Sequence, residues 1–413
     1  MQTEEKKTLE TCGRVVSISA QGVDLNVTLP SDIHHLSKLR FLDLRRNRIT
    51  GPLPQALFPE LKTLLVDRNS FTGVPPNILA LMPMLTKLTL NDNVELKEWE
   101  LPAARSPHSQ LQVFEARNAS VAGTLSLFLR SGSAHPNLVR LLLANNRLAG
   151  QVMFSSTMLR YLDLSHNMLT GTIEFITGLP NVQELRLHDN AFTGVLPDFS
   201  KLWRLRVLTL SQNQFTGIVP VSLINHGGLT SVSLTENLFQ GPLPEFPRSV
   251  QTDVAHAAYW GSFCRPEPGP CQERVVLLLL IAAAFQFPVS LATSWKGNDP
   301  CAGWLGVYCD NSTGEIIGIN LSHLALNGTI SPVFGALRSL QALLLGGNNL
   351  AGVVLQSLLR LPSLRVLDVS DNAAPEDMPH FRSSVLILAR ASREPKAHGY
   401  RPKVAGKPLV ISI

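Results

Sequence analysis

Leu159-Arg160-Tyr161-Leu162-Asp163-Leu164-Ser165-His166-Asn167-Met168-Leu169-Thr170-Gly171 is the stretch that decides the fold. In an extended strand alternate side chains share a face, so Leu162 and Leu164 turn inward together while Leu159 and Leu169 close the same apolar layer. One such layer cannot bury itself; it needs a neighbour above and below. The neighbours are supplied by repetition. The pattern L-x-x-L-x-L-x-x-N-x-L-x-G recurs at spacings of 21 to 27 residues, with clear copies starting at Leu39, Leu61, Leu138, Leu159, Val182, Leu205 and Leu229 and degenerate ones at Leu85 and Leu111. A period of this length reads as a solenoid of stacked coils.

The asparagine at the ninth position returns as Asn47, Asn69, Asn93, Asn146, Asn167, Asn190, Asn213 and Asn237. Its amide both donates and accepts, so it can satisfy backbone groups that turn inward where each strand ends. These asparagines are expected inside, as structure; the rival reading makes them ligand contacts. After them comes T-G-x-[LIV]-P, as in Thr50-Gly51-Pro52-Leu53-Pro54 and Thr216-Gly217-Ile218-Val219-Pro220. The glycine permits a tight bend, and the proline favours an extended or 3₁₀ back side over a long helix. The combination resembles the plant type of leucine-rich repeat. The predicted fold is an α/β repeat solenoid, a right-handed superhelix with short parallel strands on its concave face. Between Leu85 and Leu138 the spacing stretches, and Lys97-Glu98-Trp99-Glu100-Leu101-Pro102 replaces the consensus, so looped-out turns are expected there.

After Gly241-Pro242-Leu243-Pro244 the period stops, to resume at Ile316, Leu340 and Leu364. The intervening island holds Cys264 and Cys271, then Cys301 and Cys309, two close pairs that suggest disulfides and an oxidising compartment. Zinc is the rival reading, but C-x₆-C and C-x₇-C lack the tight zinc knuckle and no histidine pair lies near. The apolar run Val275 to Phe285 is 11 residues, too short to span a bilayer and more apolar than an exposed amphipathic helix should be. With Trp295 and Trp304 it suits a disulfide-stapled cap over the open end of the second repeat block.

Composition agrees with a folded chain: of 413 residues, 45% are hydrophobic and 16% charged. The net charge of +5 is concentrated past Phe381, where Arg382, Arg390, Arg393, Lys396, Arg401, Lys403 and Lys407 face one acid, Glu394; the remainder is close to neutral. A near-neutral body has no footprint for nucleic acid. The sets needed for phosphoryl transfer, an H-R-D base and a D-F-G metal ligand behind a glycine-rich loop, do not occur, and Gly346-Gly347 reads as repeat filler. No G-x-S-x-G or H-E-x-x-H appears, no cofactor is implied, and the chain is expected not to be an enzyme.

Trp295-Lys296-Gly297-Asn298-Asp299-Pro300-Cys301-Ala302-Gly303-Trp304-Leu305-Gly306-Val307-Tyr308-Cys309 resembles the N-terminal cap of plant leucine-rich-repeat receptor kinases. Its place in mid-chain, after about ten repeats and before three more, resembles the transmembrane kinase (TMK) subfamily, with Ser262-Phe263-Cys264 and Phe287-Pro288-Val289 in support. The resemblance implies an ectodomain at the extracellular side of the plasma membrane. In that family one membrane helix and a serine/threonine kinase follow, and auxin signalling runs through auxin-binding apoplastic proteins. Implied partners are an extracellular protein or peptide ligand and a co-receptor, with the membrane reached only through a segment this chain lacks. The family's first cap has paired cysteines, whereas here Cys12 stands alone, and the opening residues carry no signal segment. Two rivals remain: a truncated receptor decoy, and a secreted leucine-rich-repeat inhibitor of a wall-degrading enzyme, against which the island argues.

The organisation expected is an incomplete cap over 1–14, a first repeat block over 15–245, the island over 246–313, a second block over 314–380 and a basic disordered tail over 381–413. For the tail, a divergent linker, a truncated product and a sequence read past an exon end all stay open. Outward strand positions are the binding candidates: Phe41, Asp43, Arg45, Arg46, Asp67 and Arg68 early, then Tyr161, Asp163, His166, Glu184, Arg186, His188 and Asp189. Strands lie roughly 4.8 Å apart, so Tyr161, His166, Arg186 and His188 are expected to form one mixed patch, with a plain solvated face or a His166–His188 metal site as rivals. Glycosylation sequons stand at Asn26, Asn118, Asn311, Asn320 and Asn327.

Overall fold

The computed structural model describes residues 14–102, 110–125, 128–129, 135–254, 262–353, 356–373 and 379–389, together with the backbone of the short strand Thr8–Leu9. Cys12 and the tail from Arg390, with its basic residues through Lys407, lie outside the described residues. The chain divides into two compact units, Met1–Trp304 and Leu305–Ile413.

In the first unit each repeat contributes a three-residue strand to a 12-stranded sheet running from Thr8–Leu9 to Gln251–Asp253. Apart from the opening pair, which is antiparallel, neighbours are parallel and in register: Leu162 opposes Leu141 on one side and Leu185 on the other. Leu141, Leu162 and Leu185 are fully buried, together with the closing Leu159 and Leu169. One continuous apolar core runs from Leu39 to Phe263. Behind the first sheet, a second parallel sheet of seven strands passes from Trp99–Glu100 to Leu238–Gln240. Phe192, Phe215 and Phe239, two residues beyond successive asparagines, stack inside it with centroids 6.2 Å apart.

The asparagines sit where the spacing places them. Asn190 Nδ2 donates to the carbonyls of Leu164, Leu187 and His188, while its Oδ1 accepts from Leu169 N at 3.0 Å. Asn93 departs from the pattern, since its buried Oδ1 has no partner. It lies where the repeat spacing stretches, and the next ninth position is Ala119. Of the stretch expected to loop out, 97–102 stays against the core around a two-residue strand, while 103–109 and 130–134 lie outside the described residues. Trp99–Glu100 pairs with Val121–Ala122, Leu96, Trp99 and Leu101 are buried, and Trp99 Nε1 donates to Ala119 O at 2.7 Å. Apolar burial holds this segment against the core even though its consensus is lost.

All four island cysteines are disulfide-bonded, Cys264 to Cys271 directly observed as a pair, which leaves no thiolate for zinc. The run from Val275 forms the helix Glu273–Ala284, which buries Val275, Leu278, Leu279, Ile281 and Ala282. A second helix, Val289–Ser294, lies against the outer strands Gln214–Ile218 and Leu238–Gln240. The buried Gln240 Nε2 donates to Trp295 O at 3.2 Å, and Trp295 stacks on Trp304 at 5.5 Å. This second helix thus covers the last layers of the first block.

The second unit carries a five-stranded sheet, Val307–Cys309, Ile316–Asn320, Ala342–Leu344, Val366–Asp368 and Leu386–Leu388, antiparallel at its first pair and parallel thereafter. Asn348 and Asn372 repeat the ladder here. Leu386–Leu388 falls in the stretch expected to be a disordered tail; Val385 is buried, and that apolar run supplies one more layer. Gly346 and Gly347 are more than filler. A Cβ on Gly347, at φ +68°, would come 2.1 Å from His323 Nδ1, and one on Gly346 would come 2.9 Å from the Asp368 carboxylate.

Candidate recognition face

The inner sheet of the first unit presents the outward positions of its strands. Tyr161 opposes Arg140 and Glu184, and Asp163 opposes Arg186. Arg140 covers the Tyr161 ring with its guanidinium 5.1 Å from the centroid, a cation–π contact, and Tyr161 Oη donates to Gln183 Oε1 at 3.3 Å. Glu184 and Arg186 pair at 2.6 Å, both about a third exposed.

Beyond each strand, the residue before the ladder asparagine adopts a left-handed backbone, at Arg46, Arg68, Asp92, Asn145, His166, Asp189, Gln212 and Glu236. This conformation aligns one variable column along the strand ends. His166 Nδ1 meets Asp189 Oδ2 at 2.6 Å, and the His166 ring meets His188 edge-on at 4.8 Å. His188 Nδ1 lies 3.0 Å from Thr209 Oγ1. Burial first, then the neighbouring His166, hold the His188 imidazole below the usual histidine range. Among the described residues, no group of three or more His, Cys, Asp or Glu is arranged to hold a metal.

Asp163 is placed differently from its neighbours. It is only 4% exposed, with Oδ1 accepting from Ser165 N and Oγ and Oδ2 accepting from Arg117 Nη2 at 3.0 Å. Its carboxylate anchors Arg117 and the turn. The structure therefore brings together His166, His188 and Asp189, sets the Glu184–Arg186 pair beside them, and joins Tyr161 to Arg140. In the early repeats Asp43 is likewise buried and paired with Arg45 at 2.7 Å, a bond that raises the Arg45 pKa. Asp67 accepts from Thr89 Oγ1 and from Asn91, and Phe41 is half-buried.

Sequence reasoning passed over Lys87, Asn91, Asp92, Glu115 and Arg117 and took Asn118 only as a sequon; all six line a groove of about 630 Å³ with the early candidates. They sit in the degenerate repeats from Leu85 and Leu111, at the same offsets that pick out Tyr161, Asp163, His188 and His166, so the register alone could have found them. Of the sequons, Asn26, Asn118, Asn311 and Asn327 are exposed and Asn320 is half-buried.

A Leucine Rich Repeat model matches residues 38–59, 158–179 and 204–226, and a Leucine rich repeat N-terminal domain model matches 272–310, the island's second half. The Arabidopsis thaliana receptor-like kinase TMK2 is 35% identical over 337 residues, 79% of this chain and 37% of its own length. TMK4 of the same plant is 33% identical over 356 residues, 82% of this chain and 36% of its own. The chain belongs with the leucine-rich-repeat region of the TMK receptor-like kinases. It spans a little over a third of the length of those relatives. The crystal structure of a plant ice-binding protein, 21% identical, covers 64% of this chain and 86% of its own at a TM-score of 0.51, and shares the fold. Among the described residues of this TMK-type chain, no helix is long and apolar enough to cross a membrane.

Proposed function

We propose that this TMK-type chain is a non-catalytic, extracellular recognition region, displayed on the outer side of the plasma membrane, and that its concave strand face takes a protein or peptide ligand and a co-receptor. The observation that carries the reading is the contrast between the two faces of one strand. Leu162 and Leu185 are buried, whereas on the same coils Tyr161, Glu184, Arg186 and His188 are half-buried and His166 exposed on the outward side, where they present polar and aromatic groups. Aromatic and arginine side chains of this kind dominate binding energy at protein interfaces. The family resemblance adds auxin-linked signalling through auxin-binding apoplastic proteins as the first partner class to try.

The test is surface plasmon resonance of the purified chain against such an apoplastic protein, with and without auxin. The expected outcome is saturable binding that Tyr161→Ala with Arg186→Ala weakens about tenfold or more, as loss of a hot-spot residue does. Equal binding by the double variant would move recognition off this face.

A further inference from the structure

The groove around Arg46 and Lys87 is lined by none of Tyr161, His166, Arg186 or His188 and has its own chemistry. Its volume of about 630 Å³ falls in the range of ligand-binding clefts, roughly 300–1,000 Å³. Three of its cations are already engaged, Arg45 by Asp43, Arg68 by Asp92 at 3.4 Å and Arg117 by Asp163. Among the described residues, Arg46 and Lys87 have no carboxylate within ion-pair distance. Lys87 is half-buried on its strand, opposite Thr63 and Val113, where an unpaired ammonium is poorly solvated. Arg117 adds a buried Nε with no acceptor. Donors are in surplus on this wall.

Acceptors line the groove as well. Asp92 and Glu115, ion-paired to Arg68 and Arg140, face it, and the exposed Asn118 and Asn145 offer amide oxygens. A polyuronate carries a carboxylate on every residue and has hydroxyls but no N–H donor, so it sets a denser negative charge against Asp67, Asp92 and Glu115 than a peptide with alternating acids. A peptide supplies both partners, a side-chain or terminal carboxylate for the cations and backbone N–H groups for the amides.

We propose that this groove binds a carboxylate-bearing stretch of an extended peptide, anchored by Arg46 and Lys87. The proposal rests on the reading of the concave face as a recognition surface and adds a second contact region to it.

The probe is a fluorescein-labelled peptide of alternating glutamate and glycine, followed by anisotropy with the whole chain at low salt. Alternating lysine and glycine, and oligogalacturonate, serve as competitors. Saturable binding is expected, weakened about tenfold by Arg46→Gln with Lys87→Gln and about tenfold again on raising ionic strength to roughly 0.5 M. Because both side chains reach solvent, the glutamine pair should keep the parent's melting curve; Arg46→Glu alone, with an unchanged melt, is the second variant. Tyr161→Ala with Arg186→Ala should leave this binding within about twofold, which separates failure here from failure of the patch. Absence of saturable binding, equal binding by the glutamine pair, or stronger displacement by oligogalacturonate than by unlabelled acidic peptide overturns the proposal.

Discussion

Asn213 uses its amide four times: Nδ2 donates to the carbonyls of Leu187, Leu210 and Ser211, and Oδ1 accepts from Phe192 N at 3.0 Å. Truncation leaves these buried groups without partners, each costing about 1–3 kcal/mol where water cannot replace the bond. Asn213→Ala is therefore expected to lose roughly 2–4 kcal/mol, read from chemical denaturation. Asn213→Asp, almost the same shape, should lose as much, because a carboxylate cannot donate to three carbonyls; full stability in that variant would refute the account. This role was legible in the sequence, since the period fixes the position and only an amide both donates and accepts. His135 was not legible. Nothing in its neighbourhood marks it as core, yet it is buried with its ring 4.4 Å from Phe128, and burial pushes its pKa down to about 4. The unfolded chain, near 6.5, takes up a proton before the folded one does, so stability should fall as pH drops from about 6.5 towards 4. His135→Phe should flatten that fall, which thermal melts at pH 7 and pH 4.5 would show; an unchanged slope would remove His135 as its source.

The island helix shows the same division at the scale of an element. From sequence, the run Val275 to Phe285 gave no periodicity to choose a buried side, only too much apolar content for an exposed helix. Structure resolves this with a broad buried face of Val275, Leu278, Leu279, Ile281 and Ala282, while Val276 and Leu280 remain 42% and 47% exposed. Leu278→Ala should cost about 2–5 kcal/mol through lost burial and the cavity left behind. Leu280→Gln should change stability by no more than about 0.5 kcal/mol. Comparable losses from both would mean that the exposed stripe is covered in solution. The segment over 97–102 failed for the complementary reason. Trp99 and Leu101 hold their places by burial, an indole hydrogen bond and the pairing of Trp99–Glu100 with Val121–Ala122, interactions that a consensus pattern does not encode.

Across the whole molecule, what the sequence revealed was whatever the repeat imposes: strand order, the inward leucines and the asparagine ladder. What it hid was set by neighbours many residues away, such as the capture of Asp163 by Arg117 across 46 residues, which removes a carboxylate that the register alone would leave free. The same logic of stacked layers bears on how much of the chain stands by itself. Each layer gains most of its burial from the layers beside it, so stability in a solenoid accumulates with layer number. The first unit has a 12-stranded sheet, one continuous core and its last layers covered by the helix Val289–Ser294. The second has five strands and a core of a few layers around Leu343 and Leu367, in a size range where a single core is marginal. Residues 1–304 with Cys301→Ser, produced separately, should therefore melt cooperatively within about 10 °C of the parent chain. Residues 305–413 with Cys309→Ser should melt far lower or show no cooperative transition, measured by circular dichroism for both. A cooperative, high-melting second unit would show that its few layers suffice alone, and a non-cooperative first unit would show that its core depends on residues beyond Trp304.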